Sequence, residues 1–128
     1  MGRIVTSVDV SNLLDPQRSI RCDALVDTGA SHLTLPSAWR KRLAELQEFG
    51  TVELEPADQK PIRGVACAPV KVQIEGFRPV VTEVLFADME PQDATYEPLV
   101  GCIVLEQSQA AVDMLGRRLV HVKRLDLK

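Results

Sequence analysis

Apolar residues in this chain recur mostly at every second position, in short runs that Pro or Gly ends, and only once at a clear helical spacing. Alternation puts successive side chains on opposite faces, which suits a half-buried strand and not a helix. Arg3 to Val10 alternates in this way, with Ile4 and Val8 on one side. Asn12 to Arg18, holding Asp15-Pro16, reads as a turn, and Ile20 to Val26 as a second strand. Leu33-Thr34-Leu35 is a short apolar strand that Pro36 ends. Thr51 to Glu55 alternates again, and Pro56 to Pro61 is a polar turn. Val65 to Glu75 alternates through Val70, Val72 and Ile74, and Gly76 reverses the chain into a strand over Pro79 to Ala87. Asp88 to Pro98 is a loop, Leu99-Val100 a short strand ending in Gly101, and Ala111 to Met114 with Leu119 to Val122 a final hairpin around Gly116.

The helical spacing runs from Pro36, a good first helical residue, to about Phe49, with Trp39, Leu43, Leu46 and Phe49 near a 3.6-residue period. Gly50 is the expected stop. Cys102 to Gln109 suits a short helix. Roughly six to eight short strands with one moderate and one short helix imply an all-β fold, a small closed barrel or a sandwich. Regular strand–helix alternation is missing, and so are GxGxxG and P-loop motifs, which argues against a Rossmann-type nucleotide site.

With 128 residues the chain is expected to form one domain over residues 1–128. Aromatics are only 4% of it, so the core must be built from Val, Leu, Ile and Ala, with Trp39 and Phe49 as packing residues. The net charge is −3 and the basic residues are scattered, which excludes the basic patch that nucleic acid demands. The Arg40-Lys41-Arg42 run reads as a solvated helix face. The cysteines Cys22, Cys67 and Cys102 are odd in number with no close pair, which favours reduced thiols. There is no secretory signal pattern and no run near the roughly 18 apolar residues of a membrane helix, so a soluble cytoplasmic protein is expected.

The most informative stretch is Ala24-Leu25-Val26-Asp27-Thr28-Gly29-Ala30-Ser31. An apolar strand runs straight into an acid, a hydroxyl and a glycine. The strand fixes the acid on a rigid element, and Gly29 lets the backbone turn tightly and approach a ligand. An Asp-Thr-Gly tripeptide also makes an ordinary turn, but a turn alone does not require three apolar residues immediately before it.

These residues, with the Leu33-Thr34-Leu35-Pro36 that follows, resemble the retropepsin-like aspartic proteases, particularly small bacterial ones. The family's second motif, two apolar residues and Gly before a short helix, is similar to Leu99-Val100-Gly101 continuing into Cys102 to Glu106. Ala111 to Met114 and Gly116 to Val120 resemble its closing hairpin, so the likeness spans about residues 3 to 122. Cys102 stands where retroviral members often carry Arg, and Gln59 where bacterial ones often carry Gly.

The resemblance implies a small closed β-barrel that pairs as a two-fold homodimer, with Asp27 as the catalytic residue. One Asp-Thr-Gly supplies one carboxylate, and the chemistry needs two, so Asp27 of each copy would meet across an isologous interface. Carboxylates about 3 Å apart cannot both ionise, and they share a proton. By the same resemblance Thr28 and Gly29 would support the active-site loop, with Thr28 bonding across the interface. Gly29, Ala30 and Ser31 would contact an extended peptide, and a hairpin over residues 53 to 64, with Asp58 and Gln59 near its tip, would close over it. The terminal strands, near Arg3 to Val10 and Leu119 to Leu127, would supply much of the interface. No cofactor and no metal are required; the partners are a second copy and a peptide or protein substrate.

Other chemistries fit less well. Ser31 has His32 beside it, but neighbours on a strand point to opposite faces, and His121 has no thiol partner in the sequence pattern. No set of residues has metal-ligand spacing. The main rival is a dimeric module of the same fold that grips a peptide without cutting it.

Overall fold

A computed structural model describes residues 3–55, 61–91 and 93–122. The strands are β1 (Val5–Asn12), β2 (Asp15–Val26), β3 (Leu33–Pro36), β4 (Gln47–Leu54), β5 (Ile62–Ile74), β6 (Val80–Ala87), β7 (Leu99–Val100), β8 (Ala110–Asp113) and β9 (Arg118–His121). A 3-10 helix, Ser37–Leu43, follows β3, and a short α-helix, α1 (Cys102–Gln107), follows β7. The fold is all-β. Seven strands lie in the order β1-β2-β7-β3-β6-β5-β4, and β1 also pairs with β5, so the first six close into a ring with β4 outside it. Strands β8 and β9 form a separate hairpin.

Closure depends on β5 changing partners along its length. Its first half, Ile62 to Ala68, pairs with β4, and its second half, Val70 to Ile74, pairs with β1. The change falls at a bulge, where the register against β6 shifts between Cys67 and Val70. A bulge bends and twists the strand locally, which turns a flat edge towards a new neighbour.

The interior is aliphatic, as the low aromatic content requires. Val8, Val10, Ile20, Leu33, Leu35, Val72 and Val84 are fully buried, and among the described residues Phe86 is the one buried aromatic of the central cluster, with Trp39 and Phe77 packed against it. Ile4 is also buried, on the same side as Val8.

Several expectations need correction. The segment from Pro36 to Phe49 is not one helix: the 3-10 helix stops at Leu43, and Gln47 onward is strand β4. The Asn12 side chain ends it, its Nδ2 donating to the Leu43 carbonyl at 2.8 Å and the Glu45 carbonyl at 3.1 Å. Those carbonyls would otherwise serve the next helical turn. Ala44 takes a left-handed φ of 59°, and the free edge of β5 then recruits residues 47–54. Gly50 is therefore no helix stop; it sits at φ 110° inside the β4 bulge between Glu48 and Thr51. Phe49 is 57% exposed and packs no core, whereas Trp39 and Leu46 do pack against it.

The broad turn expected over 12 to 18 shrinks to Leu13-Leu14. Asn12 pairs with Asp15 and Ser11 with Ser19, so Pro16 falls in a bulge, where its missing N–H breaks no ladder bond. The hairpin over 53 to 64 is present, with Glu53 opposite Arg63 and Leu54 opposite Ile62. Residues 56–60, expected as its turn, and the expected strand beyond 122 lie outside the described residues.

Leu35, fully buried in β3, should tolerate truncation poorly. Leu35→Ala is expected to destabilise the protein by about 2–5 kcal/mol. Leu14→Ala, at a side chain 80% exposed, should stay within about 0.5 kcal/mol of wild type in the same urea titration.

Candidate active site

The residues around Asp27 are assembled by backbone hydrogen bonds from three strands. Val26 and Leu25 of β2 run parallel to Val100 and Leu99 of β7, and Thr34 of β3 lies antiparallel to Leu99. Strand β7 is thus wedged between the strand that enters the Asp27 loop and the strand that leaves it. The Leu25 N–H donates to the Pro98 carbonyl at 2.8 Å, and the Asp27 N–H to the Val100 carbonyl at 2.9 Å. On the other edge the Val26 N–H donates to the Ile4 carbonyl at 2.8 Å.

Past Asp27 the chain turns at once. The Ala30 N–H donates to the Asp27 carbonyl at 3.1 Å, and the Gly29 N–H to Asp27 Oδ1 at 2.9 Å. The carboxylate is thereby held by its own loop while remaining half-buried, with Thr28 and Gly29 exposed beside it. A Cβ on Gly29 would stand 3.2 Å from Asp27 Oδ1 and crowd that oxygen. Ala30 is buried beneath.

The second motif grips the far side of the loop. The Cys102 N–H donates to the Ala30 carbonyl at 2.8 Å and the Ile103 N–H to the Ser31 carbonyl at 3.0 Å, so the opening turn of α1 satisfies its free donors on loop carbonyls. Gly101 makes this approach feasible. A Cβ there would lie 2.5 Å from the Ser31 carbonyl carbon and 2.6 Å from the backbone N and O of His32. Asp27, Thr28, Gly29, Ala30, Ser31, Leu99, Val100 and Gly101 therefore converge. Asp58 and Gln59 lie outside the described residues.

One grouping contradicts the sequence reading. Ser31 Oγ lies 2.7 Å from His32 Nδ1, and His32 Nε2 lies 2.5 Å from Glu83 Oε1. The opposite-face rule fails because residues 30–32 lie outside any strand, with a bend at His32. Nothing in the sequence pattern singles out Glu83. Only the parallel register of β3 on β6, with Leu33 opposite Val84, brings the preceding His32 and Glu83 side by side.

Beside β2 lies a cavity of about 450 Å³, lined in part by Cys22, Leu25, Trp39, Tyr96 and Glu97. Trp39 meets the Tyr96 ring edge-on at 6.0 Å, and the Arg42 guanidinium sits 5.2 Å from the Trp39 ring centroid. Burial, helped by the neighbouring Asp23 charge, pushes the Cys22 thiol up to about 11. All three cysteines are free thiols. His121 stacks on Phe77 at 4.3 Å. Among the described residues no group of three or more His, Cys, Asp and Glu is placed to hold a metal, and no helix is long and apolar enough to cross a membrane.

The chain is similar to the EIAV protease, solved in complex with the inhibitor HBY-793. The two are 22% identical with a TM-score of 0.57, and the match covers 82% of this chain and 86% of that one. No protein-family model matches the sequence, and no curated protein does. At this identity the likeness is one of fold, and the ring of strands is of the retroviral protease type.

Two measurements probe this geometry. Gly101→Ala must displace backbone, which no rotamer can relieve, and is expected to cost about 3 kcal/mol in urea unfolding. At Cys22 the thiolate is the reactive form, so alkylation by iodoacetamide at pH 8 should run roughly a hundredfold slower than at an exposed thiol.

Proposed function

We propose that this protein is an aspartic endopeptidase of the retropepsin type, near the small bacterial members, that works as a two-fold homodimer. The observation that carries this reading is the Asp27 loop, a carboxylate braced by its own Gly29 N–H at the end of β2 and clamped by the Leu99-Val100-Gly101 motif, in a fold like that of the EIAV protease. The chain holds a single Asp-Thr-Gly, so a second carboxylate has to come from a second copy.

In the dimer one Asp27 is ionised and takes a proton from a water lying between the two carboxylates. The other is protonated and donates to the oxygen of the scissile carbonyl as the water oxygen bonds to its carbon. A tetrahedral intermediate forms, and its collapse returns a proton to the leaving amine. Thr28 supports the loop across the interface. Gly29 and Ser31 meet the backbone of an extended peptide, while Ala30, buried with both backbone polar groups already bonded, packs beneath them. The β4–β5 hairpin covers the peptide and excludes water, with Asp58 and Gln59 as further contacts. The strands near the two ends of the chain supply much of the interface. No metal or cofactor takes part.

Asp27→Asn tests the reading. The side chains are nearly isosteric, so fold and dimer should survive, as followed by sedimentation. Asn is no general base, and symmetry removes both carboxylates, so peptide cleavage should fall by roughly ten-thousandfold or to nothing measurable. A variant that still cleaves would remove Asp27 from the mechanism, and a wild type that binds extended peptides without cutting them would be a peptide-gripping module instead.

The pH profile is a second check. Because one carboxylate must be ionised and the other protonated, the rate should trace a bell that is highest on the acid side of neutral. Rates climbing steadily from about pH 6 to about pH 9 would point to other chemistry.

A further inference from the structure

We propose that Glu83 and His32 are positioning residues that fix the Ser31 hydroxyl as a hydrogen-bond acceptor, so that it receives a backbone N–H of the bound peptide. The peptide rests on the protease reading above; the polarity of the hydroxyl does not.

For a neutral His32 ring facing an ionised Glu83, the polarity follows from counting protons along the chain Glu83–His32–Ser31, whereas an imidazolium would donate from both nitrogens. An ionised carboxylate only accepts, so at 2.5 Å from Glu83 Oε1 the His32 Nε2 carries a hydrogen. A neutral imidazole has one N–H, which leaves Nδ1 bare and able only to accept. Ser31 Oγ, 2.7 Å away, therefore spends its single hydrogen on Nδ1 and keeps lone pairs alone for anything else.

The parts are well fixed. The His32 side chain is only 11% exposed, whereas Glu83 is 38% exposed, so the ring is held inside while the carboxylate reaches the surface. Thr34 Oγ1 donates to the His32 carbonyl at 3.4 Å, and the Ser31 carbonyl is already taken by Ile103 N–H. The backbone of both residues is pressed against Gly101. Ser31 itself is half-exposed, four positions past Asp27. An extended peptide presents N–H and C=O groups in turn, and a hydroxyl fixed as acceptor accommodates only the N–H. At the substrate position over Ser31, proline or an ester bond should be disfavoured.

Nuclear magnetic resonance of the full-length wild type reads the first half without any substrate. Long-range 1H–15N spectra at pH 7 should show His32 protonated at Nε2 and bare at Nδ1. Glu83→Leu should abolish that preference, and Glu83→Gln, whose amide oxygen still accepts from Nε2, should retain it. A ring protonated at Nδ1, or at both nitrogens, or indifferent to Glu83→Leu, would overturn the proposal.

The second half uses a peptide cleaved by the wild type, measured for binding to the Asp27→Asn protein, with each backbone amide replaced in turn by an ester. One position should lose about three- to tenfold in affinity, as expected for one hydrogen bond. That loss should vanish in Ser31→Ala and shrink in Glu83→Leu. Equal losses at every position, unchanged in these variants, would also overturn it. If the wild type cleaves no peptide, the protease reading fails, and the spectra still decide the polarity of Ser31.

Discussion

Backbone hydrogen bonds from β7 hold both sides of the Asp27 loop at once. Leu99 and Val100 pair with the strand entering the loop, Leu99 meets the strand leaving it, and the first N–H groups of α1 seize the carbonyls of Ala30 and Ser31. A loop tied only at its ends samples many conformations, and each ordered residue costs about 1–2 kcal/mol of backbone entropy. Here that cost is met by bonds to a distant segment, so the carboxylate is placed by the sheet and not by the loop alone. The absence of a side chain at position 101 is part of the same arrangement, since it allows the helix to sit directly on residues 31 and 32.

Much of this is legible in the sequence. Strands with clean alternation, such as β5 through Val70, Val72 and Ile74, announce themselves because one face is buried and the other wet. The apolar approach to Asp27 is legible as well, because a tight turn restricts residue type severely, whereas Leu99-Val100-Gly101 reads from its residues only as a short apolar strand ending in glycine and is tied to Asp27 through the resemblance. What stayed hidden depends on partners far away in the chain. Leu46 and Phe49 continue a helical spacing, yet Asn12 ends the helix and β5 draws the next residues into a sheet. Glu83 looks like any polar residue of an alternating strand until β3 is laid beside β6.

The Ser31–His32–Glu83 chain shows the limit of local rules most clearly. Alternation is a property of extended backbone, and the bend at His32 suspends it, so two adjacent side chains come to face one another. The same bend gives the loop a polar interior beside the aliphatic barrel, whose nearby strand positions Leu33, Leu35 and Val84 are fully buried.

The unequal support along β5 divides the β4–β5 hairpin mechanically. From Gly64 to Cys67 the strand is flanked by β4 on one edge and β6 on the other, whereas Arg63 and Ile62 have only β4 beside them. Gly64 is seated so tightly that an added Cβ would lie 2.6 Å from Leu85 Cγ and 2.8 Å from the Phe86 carbonyl oxygen. Beyond it, Arg63 and Ile62 with Glu53 and Leu54 form a two-stranded ribbon cantilevered from a three-stranded root. Bending is easiest where a beam thins, so flexure of this arm concentrates just beyond Gly64 and leaves the barrel wall behind it undisturbed.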